Sequence, residues 1–218
     1  MDGHRESGVF YWRGRMVSHR SVSHLKAWEN EYTRSTWKGP YSIEPIKTLL
    51  DKGARVLDVG CGGGKMLTPM ARAGYDVLGV DICRGPLLTL EEKTVQADAR
   101  NLPFKDNVFN GAVCYDVLQH LLEGERNAAV HEVKRVLAPG GLFFLQVFGQ
   151  RDMRYGGTLV EPDTFRRHTG IVYHYFSEEE MRSMLSGFTL LRMDSAISLK
   201  TFHGEKFTRH KIMVVAQK

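Results

Sequence analysis

The sequence predicts an α/β domain built on a doubly wound, mostly parallel sheet, and three features carry that expectation. The stretch Arg55-Val56-Leu57-Asp58-Val59-Gly60-Cys61-Gly62-Gly63-Gly64-Lys65 joins a buried-strand pattern directly to a glycine turn and then to a helical run. Gly74 suits a helix C-cap and residues 75–81 form a second apolar strand, so strand, helix and strand follow one another as in a right-handed parallel unit. The alternation continues to the strongly apolar segment 142–148, and two further strands, 188–193 and 212–216, finish the chain.

Taken in order, the first 40 residues are rich in Arg, Ser, His and aromatics and read as an N-terminal arm or lid. Leu25, Trp28 and Tyr32 recur at helical spacing over residues 23–32, and Gly39-Pro40 breaks the pattern. All three tryptophans, Trp12, Trp28 and Trp37, fall in this arm, where such side chains either anchor it to the core or line a ligand pocket. Residues 41–218 form the domain proper. Ile43, Ile46, Leu49 and Leu50 make an amphipathic helix leading to the first strand, and a helix over 65–73 follows the glycine turn. Segment 82–93 is short, with Pro86 suited to a helix start, and a brief third strand ends at Asp98. A fourth strand spans 108–115. Ala129, Val133, Val136 and Leu137 mark one side of a helix over 125–138, which Pro139-Gly140-Gly141 terminates. Residues 150–176 show little periodicity and read as a long functional insertion, after which Ser177 and Glu180 open a short helix as a capping box.

Composition narrows the class. With 218 residues, 42% hydrophobic and 25% charged, the chain has enough apolar material for one domain with additions. No apolar run approaches the length of a membrane span and the N-terminus lacks the apolar core of a secretory signal, so a cytoplasmic location without membrane association is expected. Three cysteines without metal-ligand spacing read as reduced thiols in or near strands, and no metal site is expected. The net charge of +5 divides as +3 over residues 1–38, −1 over 39–150 and +3 over 151–218, a basic excess confined to the flanks.

The glycine pattern Gly60-x-Gly62-x-Gly64 places its third glycine one position early for a dinucleotide fingerprint, and it lacks the Gly-Lys-Ser/Thr of a phosphate-binding loop. Asp81 ends the second strand 21 residues after Gly60, where a carboxylate can accept both hydroxyls of a ribose. Asp98 ends the third strand and could accept from an adenine amine. With Asp58 in the first strand, three carboxylates around one cradle would repel phosphate and suit a ligand carrying positive charge.

Those segments, followed by Ala97-Asp98-Ala99-Arg100-Asn101-Leu102-Pro103-Phe104 and Arg135-Val136-Leu137-Ala138-Pro139-Gly140-Gly141, resemble in order and spacing the motifs of class I S-adenosylmethionine-dependent methyltransferases of the type 11 kind, over residues 43–148. The resemblance implies a Rossmann-like, seven-stranded mixed sheet of five parallel strands and an antiparallel C-terminal pair, with S-adenosyl-L-methionine as cofactor. It implies Gly60 and Gly62 at the methionine part, Asp81 at the ribose, Asp98 with Ala99 at the adenine amine, and Tyr115 beside the amino-acid portion, with Asp58, Cys61 and Ile82 also binding the cofactor. Asn110 departs from the family's usual aspartate, and the short 82–93 segment leaves little room for a second crossover helix.

His120, close behind the fourth strand, is the best-placed general base. Trp28, Tyr32, Trp37, Tyr173 and His174 are expected to line the acceptor pocket. No Asn/Asp-Pro-Pro-Tyr follows the fourth strand, which lowers a nucleobase-amine reading, and residues 169–180 are loosely similar to tellurite-resistance-type small-molecule methyltransferases. The expected function is methyl transfer to a small molecule. The basic flanks leave open an RNA (tRNA) substrate, and intact cofactor motifs alone leave open a non-catalytic S-adenosylmethionine-binding module; the sequence leaves the oligomeric state undetermined.

Overall fold

A computed structural model describes residues 9–12, 15–34, 41–202 and 204–218. An N-terminal hairpin, β1 (Val9–Trp12) and β2 (Arg15–Ser18), leads into helix α1 (His19–Arg34). The domain then runs α2 (Glu44–Leu49), β3 (Arg55–Val59), α3 (Leu67–Arg72), β4 (Asp76–Asp81), α4 (Arg84–Leu87), β5 (Thr94–Gln96), β6 (Phe109–Tyr115), α5 (Glu123–Val136) and β7 (Leu137–Phe148). Three short strands, β8 (Thr158–Glu161), β9 (Thr164–Arg166) and β10 (Val172–His174), precede α6 (Glu178–Met184), β11 (Thr189–Phe202) and β12 (Glu205–Gln217).

The main sheet has seven strands in the order β11-β12-β7-β6-β3-β4-β5. Pairs β6–β7, β3–β6, β3–β4 and β4–β5 are parallel, whereas β12 pairs antiparallel with both β7 and β11. This is the expected arrangement of five parallel strands and an antiparallel pair. Its connectivity reverses between β3 and β6, so their C-terminal ends diverge and leave a crevice there.

The central strands β3, β6 and β7 are mostly apolar because both sheet faces are covered there. Along β6, Ala112 and Cys114 join one core while Val113 joins the other, and β7 alternates likewise, with Phe143 and Leu145 opposite Phe144. Helix α5 covers the first face through Ala129, Val130, Val133 and Val136. Ile46 of α2 and Leu67 and Met70 of α3 cover the second. All three cysteines are free and buried. No helix among the described residues is long and apolar enough to cross a membrane.

Four of the segments singled out in the sequence have local structural explanations, two of them departures from expectation. Helix α5 stops at Val136, and the Pro139-Gly140-Gly141 stretch lies inside the irregular start of β7, where pairing with β6 shifts register between Phe109 and Gly111. Segment 82–93 holds only the one-turn α4, so the second crossover is nearly helix-free. Residues 150–176 are not a loop but carry the antiparallel sheet β10-β9-β8, whose three- and four-residue strands are too short for periodicity to register. Asn110 keeps a structural task, its Oδ1 accepting the Arg55 N–H at 2.9 Å where β3 begins.

Gly79 shows how tightly the glycine turn sits on the sheet. A Cβ there would lie 2.7 Å from Cys61 Sγ and 2.8 Å from Leu67 Cδ2, both in the packed core beside β4. Gly79→Ala is expected to lower the unfolding free energy by about 1–3 kcal/mol through overpacking, read as a lower urea midpoint at unchanged slope. An unchanged midpoint would contradict this packing.

Candidate functional site

The turn after β3 is stitched to β4, whose Val80 carbonyl accepts from the N–H groups of Gly60 at 2.7 Å and Cys61 at 2.9 Å. Gly60 and Gly62 have φ of +72° and +48°, and a Cβ on Gly60 would lie 2.3 Å from Val117 Cγ2. The carboxylate of Asp81, at the end of β4, closes the turn. Its Oδ2 accepts the Gly62 N–H at 2.9 Å and the Tyr32 hydroxyl at 3.3 Å, and its Oδ1 accepts the Cys83 N–H at 2.8 Å. Burial raises the Asp81 pKa, and these donors hold the rise back.

Asp58 is also buried, and its Oδ2 has no hydrogen-bond partner among the described residues. Burial first, then the charge of Asp81, push its pKa up to about 7, while the Leu67 N–H pulls it down. Tyr115 ends β6 with its phenol raised to about 12, chiefly by burial and then by Asp116.

These groups line a cleft with two compartments. The larger, about 430 Å³, is bounded by the glycine turn, Asp58, Tyr115, Trp28, Tyr173 and His120. The smaller, about 100 Å³, is bounded by Asp81, Ile82, Asp98 and Ala99. Trp28, Tyr32, Gly60, Asp116 and His120 border both. Asp98 is already held by Arg100, whose backbone N–H and Nε both reach Oδ1 at 2.9 Å.

His120 lies in a 3-10 turn, Leu118–His120, directly after β6. Its Nδ1 is 3.0 Å from the Val172 carbonyl, which can only accept, so Nδ1 carries a proton there. Trp28 and Tyr173 pack edge-on against the ring, each with centroids 4.6 Å away. Its neighbour Gln119 is fully buried, borders the larger compartment, and has neither amide atom partnered among the described residues. Leaving such an amide unsatisfied costs about 1–3 kcal/mol, so the fold holds a polar group ready for something in the cavity.

Most expected site residues therefore gather in one cleft: Asp58, Gly60, Cys61, Gly62, Tyr115, His120, Trp28, Tyr32 and Tyr173 in the larger compartment, Asp81, Ile82, Asp98 and Ala99 in the smaller. One expectation changes. His174 does not line the cavity, because its Nδ1 pairs with the Thr164 hydroxyl at 2.8 Å and its Nε2 with Glu180 at 2.8 Å, making it a buried strut between β9 and α6. Tyr32 borders the cavity, yet its hydroxyl is engaged with Asp81 at the smaller compartment's edge. Trp37 lies outside the described residues.

Asp116, Gln119 and a group of cations escaped the sequence reading. Asp116 has φ of +59°, and it receives Tyr41 Oη at 2.6 Å, Gln146 Nε2 at 3.1 Å and Lys211 Nζ at 2.9 Å. Burial alone would raise its pKa, but Lys211 and these hydrogen bonds bring it below the usual carboxylate range. The position of Asp116 directly behind the fourth strand was the available signal. Nothing in the sequence announced that Lys211, 95 residues on, would meet it.

A buried carboxyl with a raised pKa disfavours folding once it ionises. Asp58 binds its proton more tightly when folded, so the stability it contributes is full below pH 4 and is lost as pH rises toward 7. Asp58→Asn is expected to match the parent chain near pH 4 and to exceed its stability by about 1 kcal/mol or more at pH 8. Parallel stability curves for the two chains between pH 4 and 8 would contradict the raised pKa.

Residues 57–145 match the model of the methyltransferase domain family. The chain is 28% identical over 150 residues to a ubiquinone biosynthesis O-methyltransferase from Xanthomonas oryzae pv. oryzae, a match covering 64% of this chain and 62% of that protein. It is 36% identical over 110 residues to a probable tRNA methyltransferase 9B from Mus musculus, covering 47% of this chain and 24% of that one. Among solved structures, the Burkholderia thailandensis 1,6-didemethyltoxoflavin-N1-methyltransferase, determined with its acceptor and S-adenosylhomocysteine, superposes with a TM-score of 0.71 at 19% identity, over 97% of this chain and 99% of that one. The matched region thus spans less than two thirds of the curated relatives. Residues 57–145 thus carry the methyltransferase domain match, and the seven-stranded order with a glycine turn closed by a strand-end aspartate is similar to the fold of the solved S-adenosylmethionine-dependent methyltransferases.

Proposed function

We propose that the chain transfers the methyl group of S-adenosyl-L-methionine to a small-molecule acceptor. The carrying observation is that the Asp81 and glycine cradle opens into an aromatic-walled cavity of about 430 Å³ in the same cleft. The residues present fit the cofactor. Gly60 and Gly62 let the turn pass where a Cβ would strike Val117 Cγ2 and the Tyr32 hydroxyl, the unpartnered Asp58 Oδ2 suits an ammonium, and Asp81 suits ribose hydroxyls, with Asp98 and Ala99 at the adenine compartment. Bound there, the cofactor supplies an electrophilic methyl on a sulfonium.

The chain's own part is to align a nucleophile, exclude water and accept a proton. His120 is the base in this reading: the Val172 carbonyl sets its tautomer, Trp28 and Tyr173 set its plane, and it borders both compartments. Gln119 offers a donor and an acceptor to the acceptor molecule from the cavity wall. The arm over residues 1–40 serves as a lid, a role supported by Trp28 and Tyr32 of α1 on the cleft. The reduced, buried cysteines accord with a cytoplasmic setting.

A small acceptor is favoured by the aromatic walls of the cavity. An RNA substrate is the second reading, supported by the basic flanks and by the name of the mouse relative. The two separate in a binding assay with mixed tRNA, because phosphate contacts make RNA affinity fall steeply with salt. The small-molecule reading predicts no such salt-dependent complex.

Two variants test the roles. Asp81→Ala is expected to weaken S-adenosylhomocysteine binding by about 1–3 kcal/mol, roughly ten- to a hundredfold, in calorimetric titration, since the ribose loses its acceptor. Unchanged affinity in a folded variant would remove Asp81 from the site. His120→Gln is expected to lower kcat about 10²-fold or more while the cofactor still binds. A kcat equal to that of the parent chain would leave His120 a structural residue.

A further inference from the structure

The larger compartment carries more positive charge than its own carboxylates neutralise. Lys65, Arg154, Arg209 and Lys211 border it, against Asp58 and Asp116. Two of the cations are accounted for. Lys211 is 2.9 Å from Asp116, and Arg209 is 2.7 Å from Asp152, a carboxylate buried just behind the wall and further held by the N–H of Arg154 at 3.1 Å. Lys65 and Arg154 make no ion pair or side-chain hydrogen bond with any described residue, though Lys65 lies 5.7 Å from the Tyr41 ring. Burial holds the Lys65 pKa below the ordinary lysine value, Asp116 raising it and Lys211 lowering it further.

The cofactor of the proposed function does not exhaust this charge. Its methionine end carries one ammonium and one carboxylate. The ammonium matches Asp58, and the carboxylate matches Lys65, which directly follows the glycine turn. Arg154 then remains unmatched, and a bound cofactor would add a further positive charge at its sulfonium. Around it the wall is aromatic: Phe148 and Tyr173 lie with planes 7° from parallel and centroids 6.4 Å apart, and the Arg209 guanidinium sits 5.0 Å from the Phe148 ring. A low-dielectric cavity of this kind favours a flat ligand that brings its own negative charge, because a bidentate guanidinium–carboxylate pair is strongest where water is excluded.

We infer that the acceptor is a planar aromatic acid, its carboxylate paired with Arg154 and its ring held against Phe148 and Tyr173. The inference rests on the methyltransferase reading, since it places the cofactor at Asp58 and Lys65. Gln119 and His120 line the same cavity, His120 with its ring 4.6 Å from that of Tyr173, so an acid group anchored at Arg154 leaves the rest of the molecule to face them.

The test is binding, not turnover. The full chain, saturated with S-adenosylhomocysteine, is titrated calorimetrically with matched pairs of planar probes: benzoate and benzamide, 1-naphthoate and 1-naphthamide, indole-3-carboxylate and indole-3-carboxamide. The acids are expected to bind about tenfold or more tightly than their amides. Arg154→Gln should abolish that preference, and Arg154→Lys should keep part of it. Amides binding as well as acids, acids not binding at all, or a preference that survives Arg154→Gln each overturn the inference. Failure of S-adenosylhomocysteine to bind in the first step would instead count against the methyltransferase reading, so the two failures are distinguishable.

Discussion

The carboxylate of Asp81 is the interaction on which the site depends. Buried at the end of β4, it cannot remain ionised without donors, and the fold supplies the N–H groups of Gly62 and Cys83 and the Tyr32 hydroxyl. Those donors come from three separate places: the turn after β3, the start of the short crossover and the N-terminal helix α1. One acid therefore ties the glycine turn, the α4 segment and the arm to a single point. That point lies beside the crevice where the sheet reverses its order, so the topology and the electrostatics converge on one cleft.

Charge is sorted along the cleft. At its glycine end lie Asp58 and Asp81, the charge of Asp81 raising the cost of ionising Asp58, a setting that suits a cationic ligand and repels phosphate. Toward the antiparallel pair the sign changes, because β12 brings Arg209 and Lys211 to the wall and the segment after β7 brings Arg154. Asp116 stands between the two regions, its left-handed backbone held by Tyr41, Gln146 and Lys211. Non-glycine residues in that conformation persist where surrounding contacts over-determine them, as they do here.

What the sequence disclosed followed the reach of local patterns. The glycine turn, the strand-end acids Asp81 and Asp98, and the order of strands were legible because each is written in a run of neighbouring residues. Even Asn110, which breaks the family pattern, could be flagged by position, although its compensating bond to the Arg55 N–H could not. The three short strands of residues 158–174 were hidden because strands of three or four residues leave too few positions to show alternation. His174 looked like a pocket residue on composition alone. Only the pairing of β9 with β10 and the approach of α6 bring Thr164 and Glu180 to its two nitrogens. The cationic wall was illegible for the same reason, since Lys65, Arg154 and Lys211 are far apart in the chain and meet only through the sheet.

The most direct measurement is a crystal structure of the full chain soaked or grown with S-adenosylhomocysteine. The account places the ribose hydroxyls on the Asp81 carboxylate, the ammonium against Asp58 and the adenine beside Asp98 and Ala99, with the cavity toward Arg154 left for the acceptor. A ligand bound elsewhere, or one in the cleft with its ribose away from Asp81, would contradict it.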